Sequence, residues 1–198
     1  MSPRLPGKRV LILGAETEIG RAVTTAVAEA GALVAAVAAT SAAEAAFAVQ
    51  RLARRLSSDE RKVIAQAIDA TNESAVRVMV RQVSKELGGL DGVVCCETPL
   101  GEPPEALRQP PVDPDRMLEW MGQDKGLSAS SVLYVTKYAG RELDRKGGGP
   151  IVLIGSSLIQ RFRPLPKWWH VEINPQALSI EEVATHAVSA LAAPPRSG

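Results

Sequence analysis

Short apolar runs alternate along the chain with longer stretches in which apolar residues recur every three or four positions. The first kind reads as strands buried on both faces, the second as amphipathic helices. RVLIL over Arg9–Leu13 opens the series. LVAAV from Leu33, KVIAQAI from Lys62, GVVCC from Gly92 and PIVLIG from Pro150 follow, with WHVEI from Trp169 as a sixth candidate. Between them, Ile19–Ala30 has helical spacing and stops at Gly31. Ser41 with Glu44 predicts a capping box that opens a helix to about Leu56. Asn72 predicts the cap of a helix with Val76, Met79, Val80 and Val83 on its apolar face, closed by Gly88 and Gly89. A helix from about Asp115 to Arg145, bent near GQDKG, and one from Ser179 with Glu182 to Leu191 complete the pattern.

Strands that alternate with helices of this length predict parallel βαβ units, wound into an open sheet with helices on both faces. The expected fold is α/β, a Rossmann-like doubly wound parallel sheet of roughly five to seven strands in a single domain over 1–198. ETPLGEPPEALRQPPVDP (97–114) is a Pro-rich loop, long for a compact domain, and the tail over 192–198 is loose in composition. In such sheets ligands gather at the carboxyl ends of the strands, near the point where strand order reverses. The loops after strands one, two, four and five therefore carry the candidate chemistry.

The chain holds 198 residues, 45% of them hydrophobic, with a net charge of +1. That balance supports a full core and gives no reason to expect nucleic acid or an anionic membrane as partner. No run of about 18 apolar residues exists to span a membrane, and MSPRLPGKRV lacks the apolar centre of a signal peptide. The two cysteines, Cys95 and Cys96, are adjacent, which suits neither a disulfide framework nor a zinc site. No metal is expected, and the cytoplasm is the default compartment. Small buried thiols are the simpler account of the pair, with a redox role as the alternative.

The loop after the first strand holds Gly14 and Gly20, with Ile19 facing back toward the core. A glycine at the strand end permits a tight turn, and a glycine in the helix lets it pack closely on the strand. The N–H groups of the helix start can then hold a pyrophosphate. An ordinary strand-to-helix turn uses the same residue types, so the placement between strand and helix is what gives the pair its weight.

GKRVLILGAETEIGRAV resembles the opening of the short-chain dehydrogenases/reductases, whose motif is Thr-Gly-x-x-x-Gly-x-Gly. Leu13 takes the Thr position, Gly14 and Gly20 match the outer glycines, and Glu18 replaces the middle one. AIDATNESAVRVMVRQVSKELGGLDGVV is similar to the family's stretch from third to fourth strand, KGGGPIVLIGSS to its fifth strand and the serine that follows, and SIEEVATHAVSALAAP to its closing helix. The resemblance implies NAD or NADP as cofactor, with Gly14, Glu18, Ile19, Gly20, Ala38 and Asp69 at the contact positions. Asp69 matches the acidic residue that contacts the adenine.

Several of these positions depart from the family. Glu18 puts a carboxylate near the expected pyrophosphate. Ala38 stands where NAD-dependent members carry the aspartate that binds ribose hydroxyls, and Ala39, Thr40 and Ser41 offer no arginine for a 2′-phosphate. Cys95, Cys96, Glu97 and Thr98 replace Asn-Asn-Ala-Gly. Dinucleotide binding is therefore expected to be weak or lost.

For the chemistry, the family's serine corresponds to Ser156 and its asparagine falls at about Ser128. Its tyrosine, with a lysine four residues on, has no counterpart, because no tyrosine follows Tyr138. LIQRFRPLPKWWHVEINP leads from the Ser156 region almost directly into the sixth strand pattern, so the catalytic helix is expected to be deleted. His170 is the candidate replacement acid near neutral pH, with a structural histidine as the simpler reading. Tyr134 and Tyr138 read as core packing.

These residues point to a catalytically degenerate relative that serves as a binding or partner subunit. A homo-oligomer, or a hetero-oligomer with a similar chain, is expected, because loss of a helix would bare apolar surface on the Asp115–Arg145 segment. Trp168 and Trp169, beside Arg161, Phe162 and Arg163, are the candidate interface anchors. The alternatives are a working NAD(P)-dependent oxidoreductase with a replaced proton donor and a dinucleotide-sensing regulator.

Overall fold

The computed structural model describes residues 4–59, 61–96, 127–155, 169–173 and 178–193, without the side chains of 127–130 and 169–172. Along the chain come β1 (Arg9–Leu13), α1 (Glu18–Glu29), β2 (Leu33–Ala38), α2 (Ala43–Leu56), β3 (Val63–Ala67) and α3 (Glu73–Leu87). β4 (Gly92–Cys96), α4 (Leu127–Asp144), β5 (Pro150–Ile154), β6 (Trp169–Ile173) and α5 (Ile180–Ala192) follow. The strands form one sheet in the order β3-β2-β1-β4-β5-β6, and every adjacent pair is parallel. Strand order reverses between β1 and β4, where Leu13 lies level with Val37 on one side and Cys95 on the other.

The period-two alternation of the strands decides which residues meet which helices. Val10, Ile12, Val34, Ala36 and Ala38 point to a core built with α1, α2 and α5, through residues such as Val23, Leu52 and Leu191. Leu11, Leu13, Ala35 and Val37 point to the opposite core, with Val76 and Val80 of α3 and Val135 and Leu143 of α4. Both faces of the central strands are thus dry, which is why those runs read as continuously apolar.

Helix ends follow local chemistry. The Asn72 side chain accepts from the Ser74 and Ala75 N–H groups, and Gly88 ends α3 in the left-handed region at φ 79°. Ser179 and Glu182 form the expected capping box. The box expected of Ser41 and Glu44 does not form. The cap of α2 is Ala42, which puts Glu44 one position too early to reach back, and the Thr40 hydroxyl accepts the Ala42 N–H instead. α5 runs through Ala192, so the loose tail begins later than its composition suggests. The 97–114 loop and the upstream part of the Asp115–Arg145 helix lie outside the described residues; the described helix is Leu127–Asp144. Among the described residues, no helix is long and apolar enough to cross a membrane, and no cluster of side chains could hold a metal ion.

Candidate functional site

The turn from β1 into α1 is held by steric room and by one hydroxyl. Gly14 sits at φ 80°, and a Cβ there would overlap the Cys96 carbonyl oxygen at the end of β4. A Cβ on Gly20 would overlap the Gly14 carbonyl oxygen. Only two bare α-carbons let β1, α1 and β4 approach this closely. Thr17 completes the turn: its Oγ1 donates to the Gly14 carbonyl at 2.8 Å and accepts the Gly20 N–H at 2.9 Å. That bond caps α1 and leaves the remaining first-turn N–H groups without intrahelical carbonyls, directed at the carboxyl edge of the sheet. Ile19 packs back onto the core, as its pattern implies. Glu18 is exposed in the first turn of the helix.

The neighbouring turn after β2 is built differently. Ala38 is fully buried, its methyl part of the core shared with α1 and α2. Asp69, beyond β3, is exposed, and its Oδ1 accepts both the N–H and the hydroxyl of Thr71, at 3.0 and 2.6 Å. Through Oδ1 the carboxylate shapes its own turn. The acidic group that does reach the end of β2 is Glu16, from the first turn: Oε1 accepts the Ala39 N–H at 3.0 Å. Burial pushes the Glu16 carboxyl up from its ordinary value, against smaller opposing effects of its own backbone N–H and that of Ala39.

Cys95 and Cys96 are buried and form no disulfide, and the Cys96 carbonyl roofs Gly14. Tyr134 and Tyr138 pack on the core between α3 and α4. The Tyr138 hydroxyl donates to Glu73 at 2.8 Å, beside Lys137 at 2.6 Å from the same oxygen. Those hydrogen bonds from Lys137 and Tyr138 hold the Glu73 carboxyl below its usual range. The backbone places Ser128 in α4 and His170 in β6, level with Ile151; their side chains, and all of Ser156, lie outside the described residues. Gly14, Glu18, Ile19 and Gly20 are brought together in one turn, next to Ala38. Glu16 and Thr17 were not singled out by the sequence pattern. Thr17 carried a signal, as a threonine directly before a helix, whereas Glu16 carried none.

The chain matches the family described as short chain dehydrogenase over residues 8–165. Among solved structures, a short-chain type dehydrogenase/reductase from Mycobacterium marinum is 29% identical with a TM-score of 0.58, covering 93% of this chain and 66% of that one. One from Mycobacterium ulcerans is also 29% identical with a TM-score of 0.58, covering 76% of this chain and 52% of that one. An NADPH-dependent 3-quinuclidinone reductase from Rhodotorula rubra, 23% identical with a TM-score of 0.57 and covering 94% and 61%, shares the fold. The chain therefore spans between about half and two thirds of the length of these structures. No curated protein matches it.

Proposed function

The chain belongs to the short-chain dehydrogenase/reductase family, and from that premise we propose that it binds a nicotinamide dinucleotide weakly, turns over no substrate, and works as a binding or partner subunit. The observation that carries this is the spacing of β5 and β6. They are parallel neighbours, and only the 14 residues of 155–168 separate them. That connector contains no tyrosine, and its one lysine is Lys167. A member that follows the family's chemistry needs a Tyr-x-x-x-Lys segment after the serine, and this chain has no room or residues for it there. A positioned proton donor is commonly worth about 10²–10⁴-fold in rate, and loss of cofactor alignment adds to the deficit.

Support for retained binding comes from the Gly14–Gly20 turn, whose backbone clearance and capped helix start fit a pyrophosphate. Support for weakness comes from the buried methyl of Ala38, which offers no carboxylate to a ribose. Each missing charged hydrogen bond is worth roughly 1.5–3 kcal/mol, or about tenfold and more in affinity. Assembly with a second copy or a similar chain is part of the proposal, and the buried cysteine pair suits the reducing cytosol.

Titration with NADH and NADPH, followed by tryptophan fluorescence, together with a screen for ketone reduction and alcohol oxidation, tests the reading. Dissociation constants weaker than low micromolar and no appreciable turnover are expected. Turnover above about one per second, the lower range of ordinary enzymes, would overturn the degenerate reading. Sedimentation of a strictly monomeric protein at high concentration would overturn the partner role.

A further inference from the structure

Glu16 belongs by sequence to the turn after β1, yet it is bonded to the turn after β2. Its Oε1 accepts the Ala39 N–H at 3.0 Å. The second oxygen, Oε2, is shielded from solvent and has no hydrogen-bond partner among the described residues. A carboxylate oxygen is an acceptor only, and a buried one without a donor is costly, so native proteins supply a donor from protein, water or ligand. Here the Ala39 N–H satisfies Oε1 and holds the carboxylate at the end of β2, while Oε2 keeps an unused acceptor.

The surroundings decide which donor suits it. Glu16 lies between Gly14, which lacks a side chain because strands crowd it, and Thr17, whose hydroxyl is committed to Gly14 and Gly20. A 2′-phosphate brought to the end of β2 would be repelled by this carboxylate, whereas a neutral hydroxyl there would donate to it. The acidic group that recognises a ribose in dinucleotide folds sits about 20 residues beyond the glycine turn, at the end of the second strand. This chain has alanine there at 38 and 39, and Glu16, 23 residues before Ala39, brings a carboxylate to the same strand end from the other side.

We propose that Glu16 is the specificity-determining residue of this site: Oε2 accepts from a hydroxyl of the adenosine ribose while Oε1 stays on Ala39. The site then favours a dinucleotide with a free 2′-hydroxyl over one with a 2′-phosphate. The inference rests on the dinucleotide reading above and adds to it a carboxylate that the family's usual position lacks.

Fluorescence titrations of wild type and Glu16→Gln with NADH and NADPH at one ionic strength provide the test. Wild type is expected to bind NADH about tenfold more tightly than NADPH, the size of one charged hydrogen bond. Glu16→Gln keeps an oxygen for Ala39 and removes the charge, and is expected to bring the two affinities within about threefold of each other. Competition of 5′-AMP against its 2′-phosphorylated analogue on the wild type needs no variant and must show the same order, which keeps the test decisive if the variant does not fold. Equal affinities in wild type, or a preference untouched by Glu16→Gln, would overturn the role of Glu16 and leave dinucleotide binding standing. Failure of both dinucleotides to bind wild type at millimolar concentration would overturn both.

Discussion

The turn after β1 and the turn after β2 lie side by side at the carboxyl edge of the sheet, and they meet the family pattern in opposite ways. The first keeps its geometry although a carboxylate, Glu18, occupies the middle glycine position. The second keeps its strand and loses its acidic side chain. The difference lies in what each turn is made of. Room for a Cβ is a steric matter at Gly14 and Gly20, where backbone oxygens of Cys96 and Gly14 occupy the space. The position between them faces solvent and tolerates a long side chain. A ribose contact, in contrast, is one side chain's chemistry, and Glu16 brings a carboxylate to the end of β2 from another loop. Backbone-built recognition resists substitution where it is crowded, whereas side-chain recognition can relocate.

The largest effect expected from breaking this contrast is at the crowded glycines. Gly20→Ala drives a methyl into the backbone of the first turn and should cost about 3 kcal/mol or more, read as a lower denaturant midpoint, or abolish folding. A loss below about 1 kcal/mol would mean the turn relaxes and its clearance is not what shapes it. Ala38→Asp is the matching intervention in the second turn. It restores the family's residue type on paper, but the side chain enters a fully buried position in the α1/α2 core. The expected cost is again about 3 kcal/mol, from an unpaired buried carboxylate, with no gain in NADH affinity. Tighter NADH binding by that variant would place the ribose contact at Ala38 after all.

A smaller and pH-dependent effect separates Glu16 from an ordinary structural carboxylate. Asp91, at the opposite edge, provides the reference: the Arg9 Nε and Nη2 atoms donate to it at 2.6 Å, and the Arg9 N–H at 2.9 Å. Burial pushes the Asp91 carboxyl up, but these Arg9 contacts outweigh it and hold the group below its usual range. Its stabilisation is therefore complete above the unfolded value of about 3.9 and is lost as pH falls through the folded value. Asp91→Asn should lower stability by roughly 1 kcal/mol at pH 7, and the deficit should close in strong acid.

Glu16 runs the other way. Its folded value is raised, so the folded chain keeps the proton to higher pH than the unfolded one. Stability contributed through this group falls as pH rises from the unfolded value of about 4.3 through the folded value. Glu16→Gln, which does not titrate, should gain in Tm relative to wild type over that rise. Parallel Tm profiles for the two proteins would show that Glu16 is solvated like a surface acid.

The smallest effect is expected at Glu18. Its charge at the start of α1 favours the helix dipole by about 0.3–1 kcal/mol, while opposing a phosphate at the same N–H groups. Glu18→Gly should therefore bind dinucleotide more tightly, by roughly twofold to tenfold, and unfold slightly more easily. Affinity that does not rise would mean the exposed carboxylate turns fully away from the cradle.

How much of this was legible beforehand divides along the same line. The strands, their parallel arrangement and the caps at Asn72 and Ser179 follow from local pattern, since apolar runs, helical spacing and capping residues act within a few positions of themselves. The absent capping box at Ser41 shows the limit of that logic: one residue of register moved Glu44 out of reach. The site was legible in its glycines, because a crowded turn restricts residue type directly. The sequence also determined that no tyrosine lies between the fifth and sixth strands, a matter of residue identity alone. Only the tertiary structure decided that Ala38 faces the core, that Asp69 serves its own turn, and that Glu16 spans 23 residues to Ala39. A side chain's partner across two loops depends on where the sheet brings those loops, and strand pairing, which sets that distance, is nonlocal in the chain.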